Sequence, residues 1–595
     1  MKKGSRMKRR FLIAFAVGSL ACGQLSAAPV GRFDRFPSGS VTVGGEIGRR
    51  MELTIDKMLH HTDVENTFAK HFRVRKEKPD EPWGFAGYGM FLDALVKATA
   101  NGIGGEEAKR VKTNLLEGLA AAQTPDGRIT MYLNKAGFWD NHEGAYMIQA
   151  LCLDHRVFGC RRSLETAVRL ADSLIRDKAF VTLGSETAFI LLAQETGDAK
   201  YVQWLETEGI IRKSLDEYDR HLHVNGIQHV YTWLARSLGQ MQFADFMGLR
   251  GADREAMGAG AFAAFRRLRG PELSVTGSCS GVVQWGELWD STQSGLGKWG
   301  ETCATAYLMR LAAKMPEWDP RTHYGDVFER ALYNAYFSAQ SGDGLKYRYF
   351  TPFEEKAVWF DRDTYCCPNN FKREMFEIPD AVFYRTDDGL AVNLYTPATL
   401  KADGVSATMT TAYPDDGKVA LDVTMAKKSV RLRIPAWCGK ATVRFGSEPQ
   451  TVCGGDWAVV RGDFAKGARI ELDLPMPIRL IRGARAQEGK VAVMRGPCVY
   501  ALECEVNGLS RQYCGLWDLN AQKPMTFDAK DQSIAATFHE RNNKHGVRPL
   551  KLTRYCRDNR EKTYFQLFGS AETVDDELWR TCEGDVGRKD CADER

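Results

Sequence analysis

Beyond its first residues, the sequence lacks any long uninterrupted apolar run. No run after residue 28 is long and apolar enough to cross a bilayer, so the sequence predicts no transmembrane segment. The chain also lacks an excess of one charge. Its formal net charge is +5, and the N-terminal leader alone contributes six basic residues. The rest of the chain is nearly neutral, which gives no reason to expect a nucleic-acid partner. With 44% hydrophobic residues among 595, the chain can build sizeable cores in several domains.

The N-terminal leader has the three parts of a secretory signal peptide. Its basic start is followed by an apolar run, Phe11–Leu25, and then by Ser26-Ala27-Ala28, which are small residues suited to cleavage. We therefore predict a signal peptide over residues 1–28 and an exported protein, either periplasmic or secreted. A lipoprotein anchored through Cys22 is the alternative, but Ser19 stands where such a motif has an aliphatic residue.

The sequence also lacks the CxxC…CxxC spacing of common zinc sites, although it has 15 cysteines. It has instead two adjacent cysteines, Cys366 and Cys367, and a Glu-Thr-Cys segment that contributes Glu301 and Cys303. Three thiolates and one carboxylate suit tetrahedral zinc. Spacing alone leaves open a second interpretation, in which these are three separate buried cysteines and a surface glutamate. The sequence does not assign disulfides among the other cysteines.

Apolar residues recur every three or four positions through the first half of the chain, as in residues 91–98. This spacing is typical of helices, and about twelve such segments lie between residues 49 and 383. Twelve helices in hairpins suit an (α/α)6 toroid. Near residue 386 the period changes to the alternation of strands, as in Val430–Pro435. We predict a toroidal catalytic domain over 29–385, a β-sandwich over 386–485, and a second β domain with a polar tail over 486–595.

The Glu-Thr-Cys and Cys-Cys segments described above resemble segments of bacterial β-L-arabinofuranosidases of glycoside hydrolase family 127 and of relatives such as family 146. Those enzymes carry Glu-Thr-Cys, followed later by Cys-Cys-Pro-Pro-Asn…Arg. The matching segments here are 301–303 and 366–373, with Asn369 in place of the second proline. Residues 489–503, which read Gly-Lys-Val-Ala-Val-Met-Arg-Gly-Pro-Cys-Val-Tyr-Ala-Leu-Glu, also resemble a family strand. The resemblance implies the same toroid, followed by β-sandwich domains, and cleavage of oligo- or polysaccharides.

The resemblance assigns roles to the matched residues. Glu287, fourteen residues before Glu301, stands where the family has its general acid/base, and Cys366 stands where it has its nucleophile. Glu301, Cys303, Cys366 and Cys367 match the ligands of a Zn²⁺ ion that would hold the nucleophilic sulfur as thiolate. Taken without the resemblance, Glu287 is one of many glutamates, and a surface position is its default interpretation.

Three further residues are expected to bind sugar hydroxyls. His142, His229 and Tyr349 resemble family residues near the sugar, and for each histidine a structural hydrogen bond between helices is the open alternative. One position departs from the family, because Thr182 stands where those enzymes have a sugar-contacting histidine. The reaction is therefore predicted more firmly than the identity of the sugar.

The sequence thus predicts an exported, retaining glycoside hydrolase that is β-L-arabinofuranosidase-like and uses a zinc-bound cysteine and a glutamate. A non-catalytic, zinc-stabilised polysaccharide-binding protein is one alternative, although binding requires neither Glu287 nor Cys366. A glycosidase, lyase or epimerase with a related toroid, acting on a different sugar, is another, because a fold alone does not decide function. The sequence leaves open the sugar, the linkage, exo or endo action, and the oligomeric state.

Overall fold

The computed structural model describes residues 32–78, 87–133, 137–179, 184–213, 229–283, 286–542 and 546–579. The predicted signal peptide, Thr182 and the tail beyond residue 579 lie outside these ranges. Among the described residues, no helix combines the length and the apolar character that crossing a membrane requires.

The first half of the chain is helical. The α-helices of the described residues are α1 (Gly45–His60), α2 (Lys70–Arg73), α3 (Tyr88–Ala100), α4 (Gly105–Ala122), α5 (Phe138–Phe158), α6 (Arg161–Arg176), α7 (Ser185–Thr196), α8 (Lys200–Thr207), α9 (Val230–Phe246), α10 (Gly251–Leu268), α11 (Thr302–Lys314), α12 (His323–Ala331) and α13 (Cys366–Met375). A π-helical turn, Leu332–Tyr336, extends α12.

Six of the described helices form a closed inner ring. α3 packs against α5, α5 against α7, α7 against α9, α9 against α11 and α11 against α13, and α13 packs back against α3. Each inner helix also packs against one outer helix, which in the same order are α4, α6, α8, α10, α12 and α1. Six helical hairpins in a ring are an (α/α)6 toroid, so the predicted architecture is confirmed.

Burial separates the two rings. Every residue of the inner helix α11 is buried, because this helix meets neighbours on all sides. The outer helix α6 buries only one face, which carries Leu170, Ala171 and Leu174, and presents its charged residues to solvent. A helix that is apolar on one stripe lies at a surface, and one that is buried all round lies in a core.

Strands dominate the second half of the chain, and four short strands of the described residues lie in the first half. In chain order the described strands are β1 (Phe33–Arg35), β2 (Val41–Val43), β3 (Gly281–Val283), β4 (Gly286–Leu288), β5 (Phe383–Thr386), β6 (Gly389–Val392), β7 (Ala398–Ala402), β8 (Val405–Thr411), β9 (Lys418–Met425), β10 (Ser429–Arg433), β11 (Lys440–Arg444), β12 (Pro449–Cys453), β13 (Trp457–Arg461), β14 (Ala468–Asp473), β15 (Ile478–Arg482), β16 (Lys490–Arg495), β17 (Cys498–Leu502), β18 (Trp517–Leu519), β19 (Thr526–Asp528), β20 (Ser533–Glu540), β21 (Val547–Arg554) and β22 (Tyr564–Gln566).

These strands form three large sheets in the described part of the chain. One has the order β1-β5-β6-β10-β13, and a second has the order β12-β11-β14-β9-β8-β7-β2. The third follows β15-β16-β17-β21-β20-β18, with β19 paired to β20 and β22 paired to β16. The strands β1 and β2 precede the toroid in the chain but pair with β5 and β7 beyond it. The N-terminal strands therefore tie the toroid to the β region.

The N-terminal ends of several inner helices meet at one end of the ring. His229 precedes α9, Glu301 precedes α11, Cys366 begins α13, and His142 lies near the start of α5. The antiparallel hairpin of β3 and β4 carries Glu287 to the same place. Helix N-termini carry partial positive charge, so this end of the ring favours anionic groups.

Candidate active site

Four predicted metal ligands form one cluster. The ligand atoms of Glu301, Cys303, Cys366 and Cys367 all lie within 4.8 Å of one another. Cys303, Cys367 and Glu301 are fully buried, and Cys366 is half-buried. Cys367 Sγ lies 3.7 Å from Glu301 Oε1. The alternative of separate cysteines and a surface glutamate is therefore wrong, because the glutamate is buried against the sulfurs.

The two halves of the cluster are positioned by two helix starts. Glu301 stands at the N-cap of α11, where the backbone N–H of Thr302 donates to the Tyr349 carbonyl at 2.9 Å. Cys366 and Cys367 open α13. Tyr365, just before them, has φ 74° and ψ 166°, a conformation that costs a residue with a side chain of order 1–3 kcal/mol. Strain of this kind is kept only where the surroundings enforce it.

Asn369 provides that enforcement. Its side-chain Nδ2 donates to the Tyr365 carbonyl at 2.8 Å and to the Asp363 carbonyl at 2.9 Å. Its Oδ1 accepts from the buried Lys372 ammonium at 3.0 Å. Gly87, just before α3, leaves room for the Asn369 side chain, because a Cβ at position 87 would lie 2.2 Å from Asn369 Nδ2. The residue that departs from the family motif thus fixes the turn before Cys366.

The cluster has the donor chemistry of a metal site. Burial raises the pKa of the Glu301 carboxyl well above its ordinary value, and Glu301 Oε2 has no hydrogen-bond partner. Burial likewise raises the pKa of the Cys303 and Cys367 thiols. Hydrogen bonds from Cys303 and Cys367 instead hold the pKa of Cys366 well below its ordinary value. A soft cation would satisfy the orphaned oxygen and favour the sulfurs as thiolates.

Glu287 lies beside this cluster and is paired with His229. Its Oε2 is 2.6 Å from His229 Nδ1, and a backbone bridge joins the same two residues. Burial lowers the pKa of His229, but the close contact with the Glu287 carboxylate and the nearby charges of Glu301 and Cys366 outweigh this and raise it to about 9. His229 therefore lies against Glu287, and it would contact a sugar only from beside that carboxylate.

Tyr349 connects Glu287 to the cysteine cluster. Its hydroxyl donates to Glu287 Oε1 at 3.4 Å and lies 3.9 Å from Cys366 Sγ. Burial and the adjacent Cys366 raise the pKa of this hydroxyl well above its usual range, so it stays a donor. The default interpretation of Glu287 as a surface residue is wrong, since its side chain is only 15% exposed and faces Tyr349 and His229.

His142 approaches from α5 and is fully buried. Its Nδ1 lies 3.0 Å from Glu143 Oε1, while its Nε2 has no hydrogen-bond partner. Glu143 also accepts from the backbone N–H groups of Gly87 at 2.8 Å and Gly89 at 2.6 Å. His142 therefore makes one structural hydrogen bond through Nδ1 and keeps a second ring nitrogen for a ligand.

Comparison with known proteins identifies the family of the chain. A family model described as the β-L-arabinofuranosidase GH127 catalytic domain matches residues 48–380, and the GH127 middle-domain model matches residues 389–476. The chain belongs to glycoside hydrolase family 127. It is therefore an enzyme, and the alternative of a non-catalytic polysaccharide-binding protein is set aside.

Several relatives of family 127 align with most of the chain. A non-reducing end β-L-arabinofuranosidase of Bifidobacterium longum subsp. longum is 26% identical over 479 residues, which are 67% of this chain and 72% of that protein. The GH127 β-L-arabinofuranosidase of Geobacillus stearothermophilus T6 is 22% identical, with a TM-score of 0.75 over 89% of this chain and 99% of that one. Another GH127 β-arabinofuranosidase is 19% identical, with a TM-score of 0.77 over 90% and 98%. These structures confirm the fold, a helical domain followed by β-rich domains. The kinship with family 146 stays a prediction.

Sequence reasoning missed two residues that contact the predicted site residues, Glu143 beside His142 and Asn370 beside Cys303. Glu143 follows His142 directly, and Asn370 follows Asn369, yet neither was assigned a role. Asn370 Nδ2 donates to Cys303 Sγ at 3.2 Å. The signal for Asn370 was present in the Cys-Cys-Pro-Asn-Asn…Arg motif, because Asn370 lies three residues from both Cys367 and Arg373, and residues three apart on a helix share a face.

Proposed function

We propose that this family 127 enzyme is a retaining hydrolase in which Cys366 is the nucleophile and Glu287 is the general acid/base. The observation that supports this most is the position of Tyr349, whose hydroxyl contacts both Glu287 and Cys366. A sugar bound against this hydroxyl would lie near both the Cys366 sulfur and the Glu287 carboxyl. Retaining hydrolysis needs a nucleophile and a proton donor close together around one glycosidic bond.

Glu301, Cys303, Cys366 and Cys367 would hold a zinc ion. Three sulfurs and one carboxylate are a normal tetrahedral zinc set, and the buried, unpartnered Glu301 oxygen supports a cation there. When bound, zinc would keep the Cys366 sulfur as thiolate at neutral pH. The N-terminal end of α13, where Cys366 stands, favours the same negative charge.

The reaction proceeds in two displacements. In the first, the Cys366 thiolate forms a bond to the anomeric carbon while the glycosidic C–O bond breaks and Glu287 protonates the leaving oxygen. In the second, Glu287 takes a proton from water, the water oxygen bonds to the anomeric carbon, and the C–S bond breaks to restore the thiolate. Two inversions retain the configuration. His229, 2.6 Å from Glu287, shares the proton that Glu287 delivers and recovers.

The substrate is proposed to be a terminal β-L-arabinofuranoside of an oligo- or polysaccharide. The support is the name of the relative that is 26% identical, a non-reducing end β-L-arabinofuranosidase. His142 Nε2, His229 and Tyr349 are the groups available to sugar hydroxyls. A change of sugar within the same reaction is the second candidate. It is favoured by Thr182, which stands where the family has a sugar-contacting histidine and lies outside the described residues.

We further propose export to the periplasm or the surroundings of the cell. The support is the basic leader and the apolar run Phe11–Leu25 ahead of the folded domain. Mass spectrometry of the protein recovered from an expressing cell tests this, because cleavage after residue 28 gives a defined mass. A chain recovered with its leader intact and inside the cytoplasm would contradict it.

One experiment tests the central proposal. The purified protein is assayed on a panel of aryl glycosides that includes the β-L-arabinofuranoside, and proton NMR records the anomer that forms first. We expect the β-anomer as first product, and a haloacetamide derivative of the same sugar should label Cys366. An inverted first product would exclude the covalent intermediate on sulfur.

A further inference from the structure

Asn370 is a buried amide that contacts Cys303 of the proposed metal cluster. It lies on α13, one turn after Cys366, and its side chain is fully buried. Its Nδ2 donates to Cys303 Sγ at 3.2 Å, which is within the range of an N–H···S hydrogen bond.

The orientation of this amide is fixed by the groups on its other end. Asn370 Oδ1 accepts from Arg373 Nη1 at 3.0 Å and from Arg310 Nη1 at 3.5 Å. Guanidinium groups have only donors, so they select the carbonyl end of an amide and repel its NH₂ end. With Oδ1 held by two arginines, the Nδ2 donor has to point at the sulfur.

Arg373 is in turn held in place. Its Nε donates to Asp93 Oδ2 at 2.5 Å, and its Nη2 donates to Gln149 Oε1 at 3.0 Å. Arg310 Nε donates to Glu377 Oε2 at 2.7 Å. All these groups come from the inner ring of helices or from the turn after α13, so the amide is anchored by the toroid core and not by a mobile loop.

We propose that Asn370 is a positioning residue of the metal cluster, which directs an amide N–H at Cys303 and so sets the charge and rotamer of that sulfur. This inference rests on the proposed zinc site. A hydrogen bond to a ligating sulfur draws negative charge from it, and partners of this kind tune metal ligands in other sites. The contacts of Arg373 with the Asp93 carboxylate and the Gln149 amide hold Arg373 in place, and Arg373 in turn directs the Asn370 N–H at Cys303.

Two variants test the donor, and a third tests the anchor. Asn370→Asp keeps an oxygen for Arg373 but has no N–H for Cys303, and Asn370→Leu removes both contacts. Gln149→Leu removes an Arg373 partner and leaves the amide and the sulfur in place. Each full-length protein is stripped of metal and titrated with Co²⁺, whose sulfur-to-metal charge-transfer band reports on the thiolates, and then with Zn²⁺ against a chromophoric chelator.

Both Asn370 variants should bind zinc about 10–100-fold more weakly than the wild type, as for other outer partners of metal ligands. Their cobalt band should move to longer wavelength, because a sulfur without its N–H donor is a stronger electron donor. Gln149→Leu should change the affinity and the band less than either Asn370 variant, because Asp93 still holds Arg373 in place. Unchanged affinity and band in Asn370→Asp, or equal changes in Gln149→Leu, would overturn the inference alone. A wild-type chain that binds neither metal would overturn the proposed zinc site as well.

Discussion

Two buried charged clusters of this enzyme have opposite characters. Arg433, on β10, pairs through its guanidinium with Asp326 and Glu329 of α12, and Nη2 lies 2.9 Å from Glu329 Oε1. Tyr413 and Trp437 donate to the same glutamate at 2.6 and 3.0 Å. Every polar side-chain atom of these three charged residues has a partner. This cluster joins the toroid to the sheet and offers nothing to a ligand.

The cysteine cluster is buried except for Cys366, which is half-buried, but it leaves polar atoms without partners. Glu301 Oε2 and His142 Nε2 have none, and the three sulfurs and the carboxyls of Glu301 and Glu287 lie together near two histidines, His142 and His229. Buried groups normally find partners, because leaving one unpaired costs about 1–3 kcal/mol. The comparison teaches that burial of charge alone does not indicate function, whereas an excess of anionic groups with orphaned atoms does.

The largest expected effect follows from removing the reacting groups. Glu287→Gln and Cys366→Ser should each slow hydrolysis by at least the ~10²–10⁴-fold typical of a general acid/base. The loss should be smaller for Glu287→Gln on substrates with very good leaving groups, which need no proton. Steady-state kinetics on an aryl glycoside and on a natural disaccharide measure both.

Cys498→Ser is the matched control, because Cys498 is a buried cysteine of β17 remote from the cluster. It should keep wild-type activity. If Glu287→Gln remained near wild type on the disaccharide, Glu287 would not be the acid.

The paired cluster should show the reverse pattern. Arg433→Met leaves Asp326 and Glu329 buried without their cation, so we expect a loss of about 3–5 kcal/mol in the free energy of unfolding. Activity per folded molecule should be unchanged. Urea unfolding followed by circular dichroism gives the stability, and active-site titration gives the folded fraction.

Arg469→Met is the control for Arg433. Arg469 pairs with Asp422 at 3.0 Å, but both side chains are about half exposed, at 54% and 52%. Exposed pairs contribute about 0–1 kcal/mol, so this variant should unfold near the wild type. Equal losses in the two variants would refute the contrast between the buried and exposed pairs.

The pH dependence should report on the His229–Glu287 pair. The folded-state pKa of His229 is raised to about 9 from an ordinary value near 6.5. The stability that this pair contributes is therefore complete below about pH 6.5 and is lost as pH rises through about 9. The shared proton leaves over the same range, so kcat/KM should fall there too.

The measurement is a pair of profiles, unfolding midpoint and kcat/KM between pH 6 and 10, for the wild type and His229→Gln. The variant should lose the change near pH 9 in both. A wild-type profile that stays flat to pH 10 would show that His229 carries no proton for Glu287.

How far the sequence reached differs between these regions. The Glu-Thr-Cys and Cys-Cys segments predicted the cysteine cluster, because each segment carries two of the four ligands within three residues of sequence. The contact of Glu287 with His229 was not predicted, since it joins a β-hairpin to a helix 58 residues earlier and no local pattern encodes it. The toroid was predictable because helical periodicity is local.

The Arg433 cluster was the part that sequence could not provide. Alternation in Val430–Pro435 predicted a strand, which β10 confirms, but alternation also predicts that Arg431 and Arg433 face water. Both are buried, because β10 lies inside its sheet between β6 and β13 and both of its faces are covered. Which face of a strand is covered depends on the packing of other elements, and the strand sequence does not contain it.

The smallest expected effect concerns Asn369, which holds the strained turn before Cys366. Asn369→Ala removes the hydrogen bonds to the Tyr365 and Asp363 carbonyls, each worth about 0.5–1.5 kcal/mol. If part of this energy fixes the direction of Cys366, kcat should fall by about fivefold to tenfold at nearly constant KM, since tenfold corresponds to about 1.4 kcal/mol.

Asn507→Ala is the control, because Asn507 Nδ2 also donates to two carbonyls, those of Glu503 at 2.8 Å and Lys551 at 2.9 Å, in the C-terminal β region. It should lower stability to a similar degree and leave kcat unchanged. Asn369→Pro, which restores the residue of the family motif, distinguishes the side chain from the turn itself: recovery of kcat would show that either residue can fix the turn, whereas a loss equal to that of Asn369→Ala would show that this chain depends on the amide. An unchanged kcat in Asn369→Ala would mean that the helix start alone directs the sulfur.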